Sequence, residues 1–107
     1  WNLSVEEQMA LLGIRDPIIF NNWKVRVEAH EALAIPTEAI ERIGCVLSIY
    51  GSLVTLLSEE RTGSWLRAAN TSPIFGGNSA LELMTNGDFD DLRKVVRYLL
   101  GEIYGGW

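Results

Sequence analysis

The sequence holds one cysteine, one histidine and no long unbroken apolar run. Each shortage excludes a class of function. Cys45 alone cannot close an internal disulfide, nor can it supply a multi-cysteine zinc site. His30 would need a second strong ligand at helical spacing, and its neighbour Glu31 points elsewhere, so neither a metal nor a cofactor is expected. The longest apolar stretch, residues 43–57, is interrupted by Gly44, Ser48, Gly51, Ser52 and Thr55. It falls short of the roughly 20 apolar residues that cross a bilayer. No charged-then-apolar leader opens the chain. The expectation is a cytoplasmic protein with no membrane partner. Basic residues are also scarce, with 9 Lys and Arg against 14 Asp and Glu, for a net charge of -5. Residues 1–35 carry five acids and three bases, and residues 36–107 carry nine and six. Neither part is a basic module, which argues against nucleic acid as the main partner, because phosphate neutralisation dominates such binding.

What is present is ample apolar material. At 107 residues and 48% hydrophobic, the chain can bury a core without disulfides or metal. It opens at Trp1 rather than Met, so N-terminal sequence is expected to be missing. Apolar spacing and start signals predict about six helices and no strand, an all-α small helical bundle. Ser4 and Glu7 fit a capping box, and Gly13 a helix stop. Asp16-Pro17 reads as an N-cap followed by proline in the first turn. That helix is expected to bury Ile19, Phe20 and Trp23 and to expose Asn21, Asn22, Lys24 and Arg26. Short helices follow over Glu60–Ala68 and from a second capping box at Ser79 and Glu82. Asn86-Gly87 stops the latter, and Asp88 caps a last helix with Leu92, Val95, Val96, Leu99 and Ile103 inward.

The longest helix starts at Pro36-Thr37-Glu38. Ile40, Ile43, Leu47, Tyr50, Val54 and Leu57 form its main apolar face by their alternating three- and four-residue spacing, and Val46, Ile49, Leu53 and Leu56 widen it. A helix so apolar around its girth is expected to be buried on several sides. Gly44, Ser48 and Ser52, four apart, would admit another helix closely, which suggests a homodimer seam as well as a core helix.

Catalysis requires acid, base or nucleophile held close together, and the inventory is thin. Cys45 lies beside the apolar face, where a thiol acts as a small hydrophobe. Asp88, Asp90 and Asp91 sit where carboxylates cap helix amides. Gly76-Gly77 precedes a helix start, as in phosphate loops, but no Lys follows it and no strand leads in. The pair reads instead as a sharp reversal that tucks Phe75 under the fold. The first two helices and their short turn also fit a helix-turn-helix-like N-terminal part, residues 1–35. There Asn21, Asn22, Lys24 and Arg26 are the candidate contacts to operator DNA. Asp16, Glu6 and Glu7 would place negative charge near the phosphates.

The order of these features is more specific than any one of them. Trp65-Leu66-Arg67, Asn70, the run from Pro73 to Met84 (PIFGGNSALELM), Gly87, Asp91-Leu92, Val95, Arg97-Tyr98-Leu99 and the closing Gly105-Gly106-Trp107 together resemble the Xre/ParS-like toxin-binding domain. The likeness spans about residues 36–107, with a looser one to Xre helix-turn-helix parts over Trp1 to Ile14. Members are antitoxins of RES–Xre toxin–antitoxin modules. The resemblance implies a non-enzymatic, dimeric protein that binds a NAD-depleting RES-domain toxin and obstructs its active site, often also repressing its own operator. By position, Trp65, Phe75, Gly76 and Gly77 are motif residues, structural or binding. Arg97, Gly105, Gly106 and Trp107 are the candidates for toxin contact, with Trp107 an apolar anchor on a glycine hinge. The weak positive charge of the second helix departs from a DNA-binding pattern. The alternatives are a transcriptional regulator with no toxin partner and, less favoured by the missing acid–base pair, a small enzyme built on the glycine turn.

Overall fold

A computed structural model of the chain describes residues 1–105; Gly106 and Trp107 lie outside the described residues. Six helices run in the order α1 (Val5–Leu12), α2 (Pro17–Glu28), α3 (Thr37–Leu56), α4 (Glu59–Arg67), α5 (Ala80–Met84) and α6 (Phe89–Tyr104), with a 3-10 turn at Pro73–Phe75 before α5. Among the described residues no β-strand forms. The expected starts are present. The Ser4 hydroxyl accepts from the Glu7 amide while the Glu7 carboxylate accepts from the Ser4 amide, and Ser79 and Glu82 repeat the pattern. Asp16 caps α2 through the Ile18 amide at 2.9 Å, and Asp88 caps α6 through the Asp90 amide.

α3 and α6 share the largest interface, with α1, α4 and α5 packed around them. Ile49 and Leu53 meet Leu92, Val95 and Leu99 there, and Leu11, Leu66, Phe75 and Met84 close the same core. α2 stands apart. It shares no extensive interface with another helix, and Phe20 forms with Met9 and Ile14 a separate small cluster, flanked by Leu12 and Trp23. Ile19, expected inward, is exposed. The molecule is accordingly elongated, 42 × 25 × 24 Å.

Two expectations for α3 are corrected. Of the face read as its main core stripe, Ile40, Leu47, Tyr50 and Val54 are exposed, and Leu56 of the second set is exposed too. The core side is Ala39, Arg42, Ile49, Ser52 and Leu53. A helix apolar on both sides offers two faces of equal periodicity, and only the arrangement of α6, α1 and α4 selects one. The second correction concerns Gly44, Ser48 and Ser52. A four-residue step advances about 40° around the axis beyond a full turn, so this row spirals from exposed Gly44 through half-buried Ser48 to buried Ser52. It is no seam.

Arg42 is the unexpected core residue, only 4% exposed. Its guanidinium donates to the Ala10 carbonyl, 3.5 Å, near the end of α1, and to the Gly87 carbonyl, 3.2 Å, in the turn between α5 and α6. It lies 5.0 Å from the centre of the Phe89 ring. Glu38 stands 3.7 Å from Nε. At Gly13, φ is +74° and a Cβ would sit 2.8 Å from the Arg42 Nε, so both backbone and space require glycine. A second tie fixes the N-terminus. Arg67 donates to the Trp1 and Asn2 carbonyls and pairs with Glu7 at 3.3 Å.

Two stability predictions follow from these ties. Arg42→Ala takes the donor from the Gly87 carbonyl, removes one of two donors from the Ala10 carbonyl and empties a buried position, and should cost about 2–4 kcal/mol; Gly13→Ala should cost about 1–3 kcal/mol through strain and the clash. Urea unfolding checks both, and a loss under 0.5 kcal/mol for Arg42→Ala (about the scatter of surface substitutions) contradicts the clamp. The Ser4 amide and then the Arg67 guanidinium hold the Glu7 carboxyl below its ordinary value, against an opposing push from burial. A lowered folded-state pKa gives stability that is present above the ordinary carboxylate value and lost as pH falls through the lower, folded-state one. Urea midpoints for wild type and Glu7→Gln should therefore converge on acidification from pH 7 to pH 3; a constant gap contradicts the reading.

Candidate protein-binding site

The stretch between α4 and α5 is a closed loop. The Asn70 amide donates to the Asn78 carbonyl at 3.0 Å, beside an isolated antiparallel bridge from Ala69 to Ser79. Inside it, Asn70 Oδ1 accepts from the Ser72 amide at 2.9 Å, which leads the backbone into the 3-10 turn. Gly76 and Gly77, φ +57° and +87°, then reverse the chain so that Ser79 caps α5 at once. The glycine pair thus does what its sequence neighbours implied, and Phe75 is 1% exposed.

Phe75 anchors the loop in an aromatic row. Its ring meets Trp65 of α4 edge-on at 6.1 Å and Tyr98 of α6 edge-on at 5.3 Å, a geometry that favours the ring quadrupoles. Trp65 and Tyr98 are half-buried, while Ile74, Gly76 and Gly77 are exposed on the loop. The motif residues Trp65, Phe75, Gly76 and Gly77 are thus brought together. A rigid apolar rim results, presented by a loop with both feet tied.

Arg97 is on the exposed side of α6, one residue before Tyr98 and about 100° around the helix axis from it. Gly101 and exposed Tyr104 continue its line at four- and three-residue spacing, and Gly105 ends the helix in the left-handed region at φ +63°. Arg97 and Gly105 therefore lie along one edge of α6; Gly106 and Trp107 fall outside the described residues. Ile74, Tyr98 and Tyr104 were not singled out in the sequence. Ile74 was legible in principle, because one residue of a Pro-Ile-Phe turn must face out when its neighbour faces in.

The remaining sites offer little chemistry. Cys45 is half-buried, and burial pushes its thiol above the ordinary value although Arg93 pulls the other way. His30 is exposed, at a positive φ of 56° just beyond α2. Among the described residues no three His, Cys, Asp or Glu converge on a metal position. A hollow of about 810 Å³ around Arg42 carries Arg15 and Arg42 against Glu6 and Glu38. Its charges balance, and Arg42 is committed to backbone carbonyls. Asn21, Asn22, Lys24 and Arg26 all face solvent on α2. Arg26 Nε donates to Asn22 Oδ1 at 2.9 Å, and Lys24 lies 5.6 Å from the Phe20 ring centre.

The loop, the aromatic row and α6 all fall within residues 52–106, which match the antitoxin Xre/MbcA/ParS C-terminal toxin-binding domain. A protein of Sinorhizobium fredii called "Uncharacterized protein y4oB" is 35% identical over 100 residues, covering 92% of this chain and 72% of that protein. No solved structure matches the chain. With more than half its length in the family's match and a relative of that similarity, the chain belongs to the Xre/MbcA/ParS antitoxin toxin-binding family.

Proposed function

We propose that the protein is the antitoxin of a type II toxin–antitoxin module, acting in the cytoplasm as a homodimer without catalysis of its own. It binds and neutralises a RES-domain, NAD-depleting toxin. The observation that carries this reading is the tied loop 70–78, whose apolar rim is anchored by Phe75 between Trp65 and Tyr98. A preorganised rim costs little ordering entropy on binding, and aromatic and Arg side chains dominate interface energetics. On this reading residues 1–35 form a helix-turn-helix-like part and residues 36–107 the toxin-binding unit. Ile74, Tyr98, Arg97 and Tyr104 meet the toxin surface, and Gly105-Gly106-Trp107 reaches its active site.

The test is growth rescue on co-expression with a RES-domain toxin encoded beside this chain. Wild type should restore growth. Arg97→Ala, Ile74→Glu and Trp107→Ala should each weaken binding about tenfold or more in calorimetry, the range of interface hot spots. Arg97 and Ile74 are exposed, so both variants should keep the wild-type melting temperature. No rescue by the wild type, with the toxin shown to be active, overturns the reading.

Operator DNA is the second part, supported by the four solvent-facing polar residues of α2. Lys24 and Arg26 offer two cations on a protein of net charge -5. Two phosphate contacts give a salt slope of only about -2 in log K against log salt. A gel shift on the module's own promoter should therefore be weak and lost together with Lys24→Ala; a tight shift indifferent to Lys24 and Arg26 assigns DNA binding elsewhere.

A further inference from the structure

We infer that a strap formed by residues 1–3 sets the near foot of the tied loop through Arg67, which makes Arg67, Asn2 and Glu7 positioning residues for the surface that meets a partner. The inference rests on the antitoxin reading above for what that surface binds. It adds a control over the loop from residues outside the matched segment 52–106.

Arg67 is the last residue of α4. Two residues later Ala69 bridges Ser79, and the Asn70 amide donates to the Asn78 carbonyl, so the loop begins where α4 ends. The Arg67 guanidinium reaches the other end of the chain. Its Nη2 donates to the Asn2 carbonyl at 2.8 Å and to the Trp1 carbonyl at 3.3 Å. Nη1 and Nη2 also reach the two Glu7 carboxylate oxygens, at 3.4 and 3.3 Å. The Arg67 side chain is 45% exposed, so the ion pair with Glu7 contributes little alone. The carbonyls change that, because a planar fork with several partners fixes direction as well as distance. Glu7 is itself held by the Ser4 amide. The strap, the first turn of α1 and the end of α4 thus meet at one side chain. A hollow of about 360 Å³ lies between the strap and the middle of α4, so Arg67 rather than close packing makes the connection. The start of α4 is held separately, by the Tyr50 hydroxyl donating to the Glu59 carboxylate at 3.0 Å.

The backbone of the strap marks it as more than a loose end. Asn2 stands at φ +55°, a left-handed conformation that disfavours any residue with a Cβ and that asparagine tolerates better than most. Its side chain is exposed and makes no hydrogen bond among the described residues. What the turn accomplishes is to bring the Trp1 and Asn2 carbonyls to one nitrogen of Arg67. A conformation of this kind persists where its surroundings over-determine it. Here the Trp1 ring lies 6.0 Å from Tyr50, and Trp1 and Leu3 pack on the main core. Without the tie, the last turn of α4 is free to fray and Ala69 with it. Phe75 would stay anchored, but the near foot would need ordering when a partner binds, which weakens binding. A staple that served only the N-terminus would leave the loop indifferent to Arg67 and Asn2.

Residue-resolved hydrogen exchange on the free protein separates these two roles. The amides of Asn70, Ser72 and Asn78 are bonded within the loop, and those of Val95 and Leu99 sit in the core of α6 and report global opening. In Arg67→Ala the loop amides should accelerate about tenfold more than the α6 amides, as expected for the loss of a charged hydrogen bond. Arg67→Lys keeps the charge without the fork and should fall between. Asn2→Val leaves Arg67 intact but cannot hold φ +55°, so it should repeat the Arg67→Ala pattern; Asn2→Gly holds that φ freely and should exchange like wild type. A loop-to-α6 difference under about threefold in both Arg67→Ala and Asn2→Val, within the range of global destabilisation alone, overturns the inference. Affinity for the RES-domain toxin is read separately by calorimetry, where Arg67→Ala and Asn2→Val should each bind severalfold more weakly. Toxin held as tightly by both variants as by wild type removes this inference alone. Loop exchange that responds as expected in a wild type that binds no toxin removes the antitoxin reading alone.

Discussion

The fold turns on one buried guanidinium. Arg42 leaves the core side of α3 and ends at two backbone carbonyls, that of Ala10 in the last turn of α1, which the Gly13 amide also reaches, and that of Gly87 in the turn before α6. The α1 carbonyl lies at the negative end of that helix's dipole, where a cation is favoured. A planar cation with several N–H groups reaches it and the Gly87 turn carbonyl at once, while it lies near the Phe89 ring at the start of α6. Three segments distant in sequence thereby acquire a common point. Gly13 belongs to the same arrangement, since only a residue without Cβ lets α1 end against this side chain.

Around that point the chain divides its labour. The strong core lies between α3 and α6, and the short elements are fixed by local devices: a capping box on α1 and on α5, an Asx cap on α2 and on α6, and a backbone bridge at the foot of the loop. Such devices hold a loop in one shape without burying it. Phe75 supplies the depth by joining α4 to α6 through Trp65 and Tyr98. The exposed residues Ile74, Gly76 and Gly77 then stand on a frame that cannot shift without breaking the aromatic row.

Much of this was legible in the sequence because it was local. Ser4, Asp16, Ser79 and Asp88 cap helices through bonds spanning two or three residues, and nothing distant competes. Gly76-Gly77 was readable as a reversal for the same reason. The family-specific run from Trp65 to Met84 is legible as well, although within the pattern nothing local gives Ile74 or the later Tyr98 a role at the surface. α3 was misread because its apolar residues encircle it, and periodicity cannot say which of two apolar sides meets α6. Arg42 was illegible because its partners lie 32 and 45 residues away, and an arginine on a helix is ordinarily a surface residue.

The outward apolar residues of α3 have a physical consequence. A helix whose apolar residues exceed what its own domain buries retains surface that water does not favour, here at Ile40, Leu47 and Val54. Together with Gly44 and Gly51 between them, they form an apolar outer stripe on α3 that α6, on the inner side, leaves uncovered. The inner face does the structural work of the domain: through Ile49 and Leu53 it sets the position of α6, and α6 through Tyr98 holds Phe75 and the tied loop. A change at the outer positions Ile40, Leu47 or Val54 reaches that loop only through the whole 20-residue helix, so substitutions there are expected to leave the aromatic row in place.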